Sequence, residues 1–288
     1  MAGTMSNVSP SHGKQGRLYM LFEQNERDES ILRKLYRRAP TIVQQALYFD
    51  EQLPSLPCVY ILSAGGPIVE GDSFEYEVIL REGASAHIST GAATKVAQMR
   101  GGEATLQQRI ELLPHSYLEY LPEATIPCSG ARYRSDLRIV VDPSATLFLS
   151  DIYMSGRRHS GESFLFDSLE LSCRVERPDA TPLFCERQVV EPSRDGVRTI
   201  GLMSGWEVFG SVLIFAPEEV VRFVWQELQP YMESNVALGV HLLPCNAGIL
   251  CRIVGNECAD VKRVVRDLCS LLRQRVKGVP LPAEFPWR

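Results

Sequence analysis

Ser73-Phe74-Glu75-Tyr76-Glu77-Val78-Ile79-Leu80, the turn Arg81-Glu82-Gly83, then Ala84-Ser85-Ala86-His87-Ile88-Ser89: this stretch decides the fold class. Phe74, Tyr76, Val78 and Leu80 alternate with Ser73, Glu75 and Glu77, while Ala84, Ala86 and Ile88 alternate with Ser85, His87 and Ser89. Successive side chains of an extended backbone point to opposite faces, so a period of two predicts a half-buried strand on each side of the turn. The signal returns at Ala104–Leu112, Ser116–Leu121, Asp136–Val141, Ala145–Ser150, Phe164–Glu176 and Pro182–Val189, punctuated by turns such as Arg100-Gly101-Gly102 and Asp142-Pro143-Ser144. So many short strands at this spacing predict a mostly β, extended body rather than a βαβ sheet.

Two helices interrupt the pattern near the C-terminus. After Pro217, with Glu218 and Glu219 in the first turn, Val220, Val221, Val224, Trp225 and Leu228 repeat at helical spacing up to Pro230. A second helix follows Asn256 as cap, carries Val261, Val264, Val265, Leu268, Leu271 and Leu272 on one stripe, and stops at Gly278. Between them Val236–Leu243 and Ile249–Val254 flank Pro244-Cys245-Asn246-Ala247-Gly248 as a hairpin. Residues 1–15, rich in Ser, Gly and His, read as a disordered leader, and no linker divides residues 16–288, which read as a single domain.

The chain has 288 residues, 45% hydrophobic and 23% charged, which is ordinary globular composition and enough length for a large core. Its net charge of -5 gives no basic footprint for nucleic acid or anionic membrane. No signal-like or membrane-spanning apolar run occurs, so the chain reads as cytoplasmic. Eight scattered cysteines without CxxC pairs read as buried thiols.

Strongly marked catalytic motifs are missing: no P-loop, GxGxxG, HExxH or GxSxG occurs. None of the five histidines lies at ligand spacing from another histidine or a cysteine pair, so each reads as a surface or strand residue. His159, Ser160 and Asp167 are too close in sequence to converge as a triad. Carboxylates offer more. Glu70, Asp72, Glu75 and Glu77 surround a glycine turn, and Glu119, Glu123, Asp151, Glu162 and Glu186 stand beside apolar strand residues. Carboxylates without imidazole or thiolate partners hold a borderline metal such as Ni²⁺ weakly, which suits hand-over better than storage.

Four co-linear stretches resemble the UreD (UreH) family of urease accessory proteins. They are Gly65-Gly66-Pro67-Ile68-Val69-Glu70-Gly71-Asp72; Ser89-Thr90-Gly91-Ala92-Ala93-Thr94-Lys95-Val96; Leu118-Glu119-Tyr120-Leu121-Pro122-Glu123-Ala124-Thr125-Ile126 with Gly130-Ala131-Arg132; and Asp151-Ile152-Tyr153-Met154-Ser155-Gly156-Arg157-Arg158-His159-Ser160-Gly161-Glu162. The departures are a longer glycine turn with Glu70, Gly91 in place of Gln, Tyr120 in place of Trp, and Glu123 in place of Gln.

The resemblance implies a β-helix-like body with two C-terminal helices, acting without catalysis as a scaffold in nickel delivery. Its implied partners are the urease apoprotein and a UreF–UreG complex, with the GTPase UreG supplying the nucleotide chemistry this chain lacks. It implies no tightly bound cofactor, only transient Ni²⁺ on an internal route. The motif residues it marks are Glu70, Asp72, Thr94, Lys95, Glu119, Arg132, Asp151, Arg157, Glu162 and Glu186, with Asp72, Asp151 and Glu186 as transient nickel ligands. Those three acids are expected to line or adjoin a polar interior path, with Lys95, Arg132 and Arg157 as basic partners. The competing reading is a β-solenoid carbohydrate-active enzyme using clustered carboxylates, which would want coils of fixed length and aromatic platforms; the chain has no fixed repeat and three tryptophans. A stand-alone nickel store would want His-rich tracts, and there are none.

Overall fold

In the computed structural model, which describes residues 13–282, the alternating segments stack as successive coils. In chain order the elements are β1 (Gln15–Gln24), β2 (Ser30–Arg38), β3 (Thr41–Ile42), β4 (Cys58–Ser63), β5 (Ser73–Leu80), β6 (Ser85–Thr90), β7 (Thr94–Val96), β8 (Ala104–Leu112), β9 (Tyr117–Leu121), β10 (Thr125–Pro127), β11 (Arg132–Val141), β12 (Thr146–Met154), β13 (Ser168–Glu176), β14 (Pro182–Val190), α1 (Pro192–Asp195), β15 (Val208–Phe215), α2 (Glu218–Glu227), β16 (Tyr231–Met232), β17 (Val236–Leu242), β18 (Ile249–Gly255) and α3 (Cys258–Lys277). Most of the expected leader lies in residues 1–12, outside the described residues; β1 already begins at Gln15.

The coils build two facing sheets. One has the order β14-β13-β11-β8-β5-β1-β2, the other β16-β17-β18-β15-β12-β9-β6-β4-β3. From β5 the chain crosses to β6, passes β7, returns to β8, crosses to β9, passes β10 and returns to β11. Like strands of successive coils therefore pair in parallel: β5 with β8, β8 with β11, β6 with β9, and β7 with β10. This is a β-solenoid, as the resemblance implies, closed by antiparallel neighbours at β2, β14 and β15. In-register positions carry Val78, Ile110, Ile139 and Val175, which stack on one another in the space between the sheets with Met20, Leu118 and Leu147. Each such aliphatic side chain, fully buried, contributes about 1.5–3 kcal/mol.

A second apolar layer lies outside the longer sheet, where α3 sets Val261, Val264, Val265, Leu268 and Leu272 against Val212, Cys251 and Ile253. The helix ends at Gly278, whose φ of 77° suits glycine, and whose N–H donates to Gln274 O. Its start differs from the expected Asn256 cap: Glu257 holds the cap position, and Asn256 donates to Ser234 O instead. No described helix is long and apolar enough to cross a membrane.

Two further expectations need correction. The strand expected at Phe164 begins at Ser168, because Phe164 adopts φ 53° in the preceding loop. And β6 is not half-buried: Ser85 to Ser89 are all buried, because α3 covers the face that was expected to meet water.

Candidate functional site

Between the sheets the apolar ladder is interrupted by polar side chains at inward positions of β8, β11 and β12. Gln108 on β8, Ser135 on β11 and Asp151 on β12 replace the aliphatic residue that alternation calls for. Around them Tyr76, Tyr120, Tyr133 and Tyr153 line a cavity of about 520 Å³, whose wall also includes Thr90, Thr94, Lys95 and Glu123. Tyr120 donates to Gln108 Oε1 at 2.6 Å, and Tyr76 Oη lies 3.3 Å from Thr41 Oγ1. Asp151, Ser135 and Tyr153 also line a second, smaller space of about 40 Å³, which extends past Ser172, Gln188 and Ser211 to Glu186. Asp151 thus stands where the two spaces meet.

Its carboxyl has one hydrogen-bond donor shown, Tyr153 Oη at 3.4 Å. Burial pushes its pKa up to about 6, and the Tyr153 bond opposes the rise only in part. Burial likewise raises Tyr120, Tyr133 and Tyr153, keeping them as neutral hydroxyls. The lining therefore offers hydroxyl and amide oxygens and, besides Glu123 and Glu186, which pair with Lys262 and Arg252, the carboxylate of Asp151, a set suited to an oxygen-preferring or hydrated ion. No three His, Cys, Asp or Glu side chains among the described residues converge as a metal cage.

The motif residues separate into groups. Thr94, Lys95 and Asp151 line the larger cavity, and Asp151 and Glu186 the smaller. Asp72 lines neither. Its Oδ1 accepts from Lys14 N at 2.7 Å, its Oδ2 accepts from Val69 N at 2.9 Å, and Lys14 Nζ lies 3.0 Å away. It clips the start of β1 to the glycine turn. Glu70 accepts from Arg100 N at 2.5 Å, which is the main reason its pKa is lowered. Arg157 pairs with Glu162, lowering the glutamate, and Arg132 Nε donates to Asp167 Oδ2 at 3.0 Å. The expected pairing of Lys95, Arg132 and Arg157 with the three acids is thus corrected: Asp72 takes Lys14 and Glu186 takes Arg252.

Glu119 faces the other way, into a buried polar network under α3. Its Oε1 accepts from Tyr117 Oη at 2.5 Å, and its Oε2 accepts from His87 Nδ1 at 2.7 Å, with Arg273 Nη1 at 3.6 Å. Arg273, fully buried on α3, also donates to Asp50 Oδ2, while Asp50 Oδ1 accepts from Gln52 N and Leu53 N at 3.0 and 3.2 Å. Lys277 donates to Ser85 Oγ at 3.0 Å and lies 4.4 Å from the Tyr117 ring centroid. Burial lowers Arg273 to about 10 and also lowers Lys277. His87, expected as an ordinary strand or surface residue, is a buried member of this network. Gln108 and Ser135 were also missed, although each breaks a two-residue alternation in the sequence.

Residues 14–288 match the family model described as UreD urease accessory protein. A protein of Brucella suis biovar 1 named "Urease accessory protein UreD 2" is 37% identical over 281 residues, 96% of this chain and 93% of its own. "Urease accessory protein UreD 3" of Methylorubrum populi is also 37% identical over 281 residues, covering 96% and 90%. "Urease accessory protein UreD" of Yersinia enterocolitica is 35% identical over 286 residues, covering 96% and 88%.

Proposed function

Because this chain belongs to the UreD family of urease accessory proteins, we propose that it is a non-catalytic cytoplasmic scaffold which binds the urease apoprotein and a UreF–UreG complex and passes nickel between them through its interior. The observation that carries the route is Asp151, a half-buried carboxylate with no cationic partner among the described residues, at the junction of two spaces edged by tyrosine, serine and amide oxygens. An ionised carboxylate in such a place is costly unless a cation or water compensates it, so a Ni²⁺ ion moving through gains a favourable but brief resting point. The tyrosine hydroxyls and Gln108 can bond to the ion's water shell without holding the metal itself. The larger space is lined by no cysteine or histidine, and burial keeps Cys173 in the smaller one a neutral thiol, so binding stays weak, as transfer requires. The GTP chemistry belongs to UreG, since this chain carries no phosphate-cradling glycine loop.

The test is Asp151→Asn, which keeps shape and removes the charge. Co-expressed with a urease operon under limiting nickel, the variant should still co-purify with UreF, UreG and urease, yet yield urease with less nickel and lower activity. Wild-type nickel loading by the variant would refute the route. Loss of the complex would move Asp151 from the path to the folding core or an interface.

A further inference from the structure

The narrow end of the path carries a cation of its own. Ser211 on β15 pairs with Asp151 on β12, and Arg252 on β18 pairs with Ser211. Directly paired residues project to the same side of a sheet, so Asp151, Ser211 and Arg252 form one row facing the opposite sheet, with about 4.8 Å between neighbouring strands. From that opposite sheet Glu186, beside Cys173 on β13, meets the end of the row, and Arg252 Nη2 donates to Glu186 Oε1. This ion pair joins β14 to β18 across the gap, and it is partly open to water, with 37% and 29% of the two side chains exposed.

The space behind it, about 40 Å³, holds only a few water molecules at ~10–15 Å³ each. A six-coordinate hydrated cation must therefore exchange water for protein oxygens here, and Asp151, Ser211, Gln188 and Glu186 supply them. While the guanidinium holds Oε1 and neutralises the carboxylate, Glu186 attracts a second cation only weakly. Arginine stays protonated at any physiological pH, so only a competing cation or a partner's charge can displace it.

We propose that Arg252 is a displaceable counter-cation that closes the β14–β18 end of the path: it neutralises Glu186 while the path is empty, and a divalent cation arriving past Asp151 and Ser211 replaces it. Because the pair is half-exposed, the released guanidinium swings into water at small cost, as surface pairs do. The proposal rests on the conduit reading above and adds to it a residue that the sequence motifs do not mark.

The experiment titrates nickel sulfate alone into the full chain, following heat at fixed pH and ionic strength. Arg252→Met frees Glu186 and should tighten Ni²⁺ binding about tenfold or more; the Arg252→Met/Glu186→Gln double variant should lose that gain. Should Arg252→Met fail to fold, Arg252→Lys keeps the charge but has a looser grip, and should tighten binding by about two- to fivefold. Unchanged or weakened binding in the folded arginine variant, with Asp151→Asn still weaker than wild type, overturns the gate and leaves the conduit standing. Wild-type binding by Asp151→Asn overturns the conduit and the gate with it.

Discussion

Removing the Asp50 carboxylate should destabilise the fold far more than an ordinary ion pair would. Asp50 and Arg273 are both fully buried, 223 residues apart, and Asp50 Oδ1 also accepts from the N–H groups of Gln52 and Leu53. Breaking a buried pair by deleting one partner typically costs ~3–5 kcal/mol, because the other charge stays buried. Glu119, 3.6 Å from Arg273, compensates part of that charge, which favours the lower end of the range. The two lost turn hydrogen bonds add about 1 kcal/mol, so Asp50→Ala should cost about 3–4 kcal/mol in all. In a chain of this size that corresponds to a fall in Tm of roughly 6–15 °C. Urea unfolding followed by tryptophan fluorescence and far-ultraviolet circular dichroism gives the value. Asp50→Asn, whose side-chain carbonyl still accepts from the turn, isolates the charge, and Asp50→Asn/Arg273→Met should recover at least half of the single-variant loss. A cost below about 1 kcal/mol for Asp50→Ala, the range of exposed pairs, would refute the claim that the network clamps α3 to the solenoid.

Stability should also depend on pH through Asp151. Its folded pKa of about 6 lies above the ordinary value of 3.8, so the unfolded chain ionises first as pH rises, and stability falls between about pH 4 and 6 and then levels. Relative to Asp151→Asn, the wild type should lose on the order of 1–3 kcal/mol across that window; parallel profiles from urea melts would show that the carboxyl is not desolvated. Two glycines should behave oppositely. A Cβ at Gly248 would stand 2.4 Å from Ile214 O, whereas at Gly101 it meets nothing within 4 Å, so Gly248→Ala should lower the Tm by several degrees and Gly101→Ala hardly at all.

The strands were legible because most follow the two-residue rule on their own, and the bounds read for Ala104–Leu112 match the strand to the residue despite Gln108. The solenoid was harder to see, because its coils differ in length: Val78, Ile110, Ile139 and Val175 occupy one register at intervals of 32, 29 and 36 residues. No period survives such variation, and the absence of a fixed repeat, weighed above against a solenoid carbohydrate-active enzyme, says only that the corners vary. Inward polar positions were readable in principle, since Gln108, Ser135 and Asp151 each break an apolar alternation. The partners of Glu119 and Glu186 were not. Arg273 lies on a helix whose apolar stripe draws attention away from its inward charges, and Arg252 belongs to a hairpin far along the chain, so only the assembled fold sets either beside its acid.

The reach of α3 across the sequence has a consequence for how the chain is made. Its contacts go back to Asp50, Ser85 and Glu123, spans of 223, 192 and 139 residues. While a ribosome is still producing the later strands, the outer face of β6 and β9, with His87 and Glu119, has nothing to shield it. At ~5–20 residues per second, the interval between Ser89 and Lys277 lasts roughly 10–40 s. A nascent chain stalled before residue 258 presents that half-polar surface to solvent, and any holding factor that binds it has to let go before the helix can arrive.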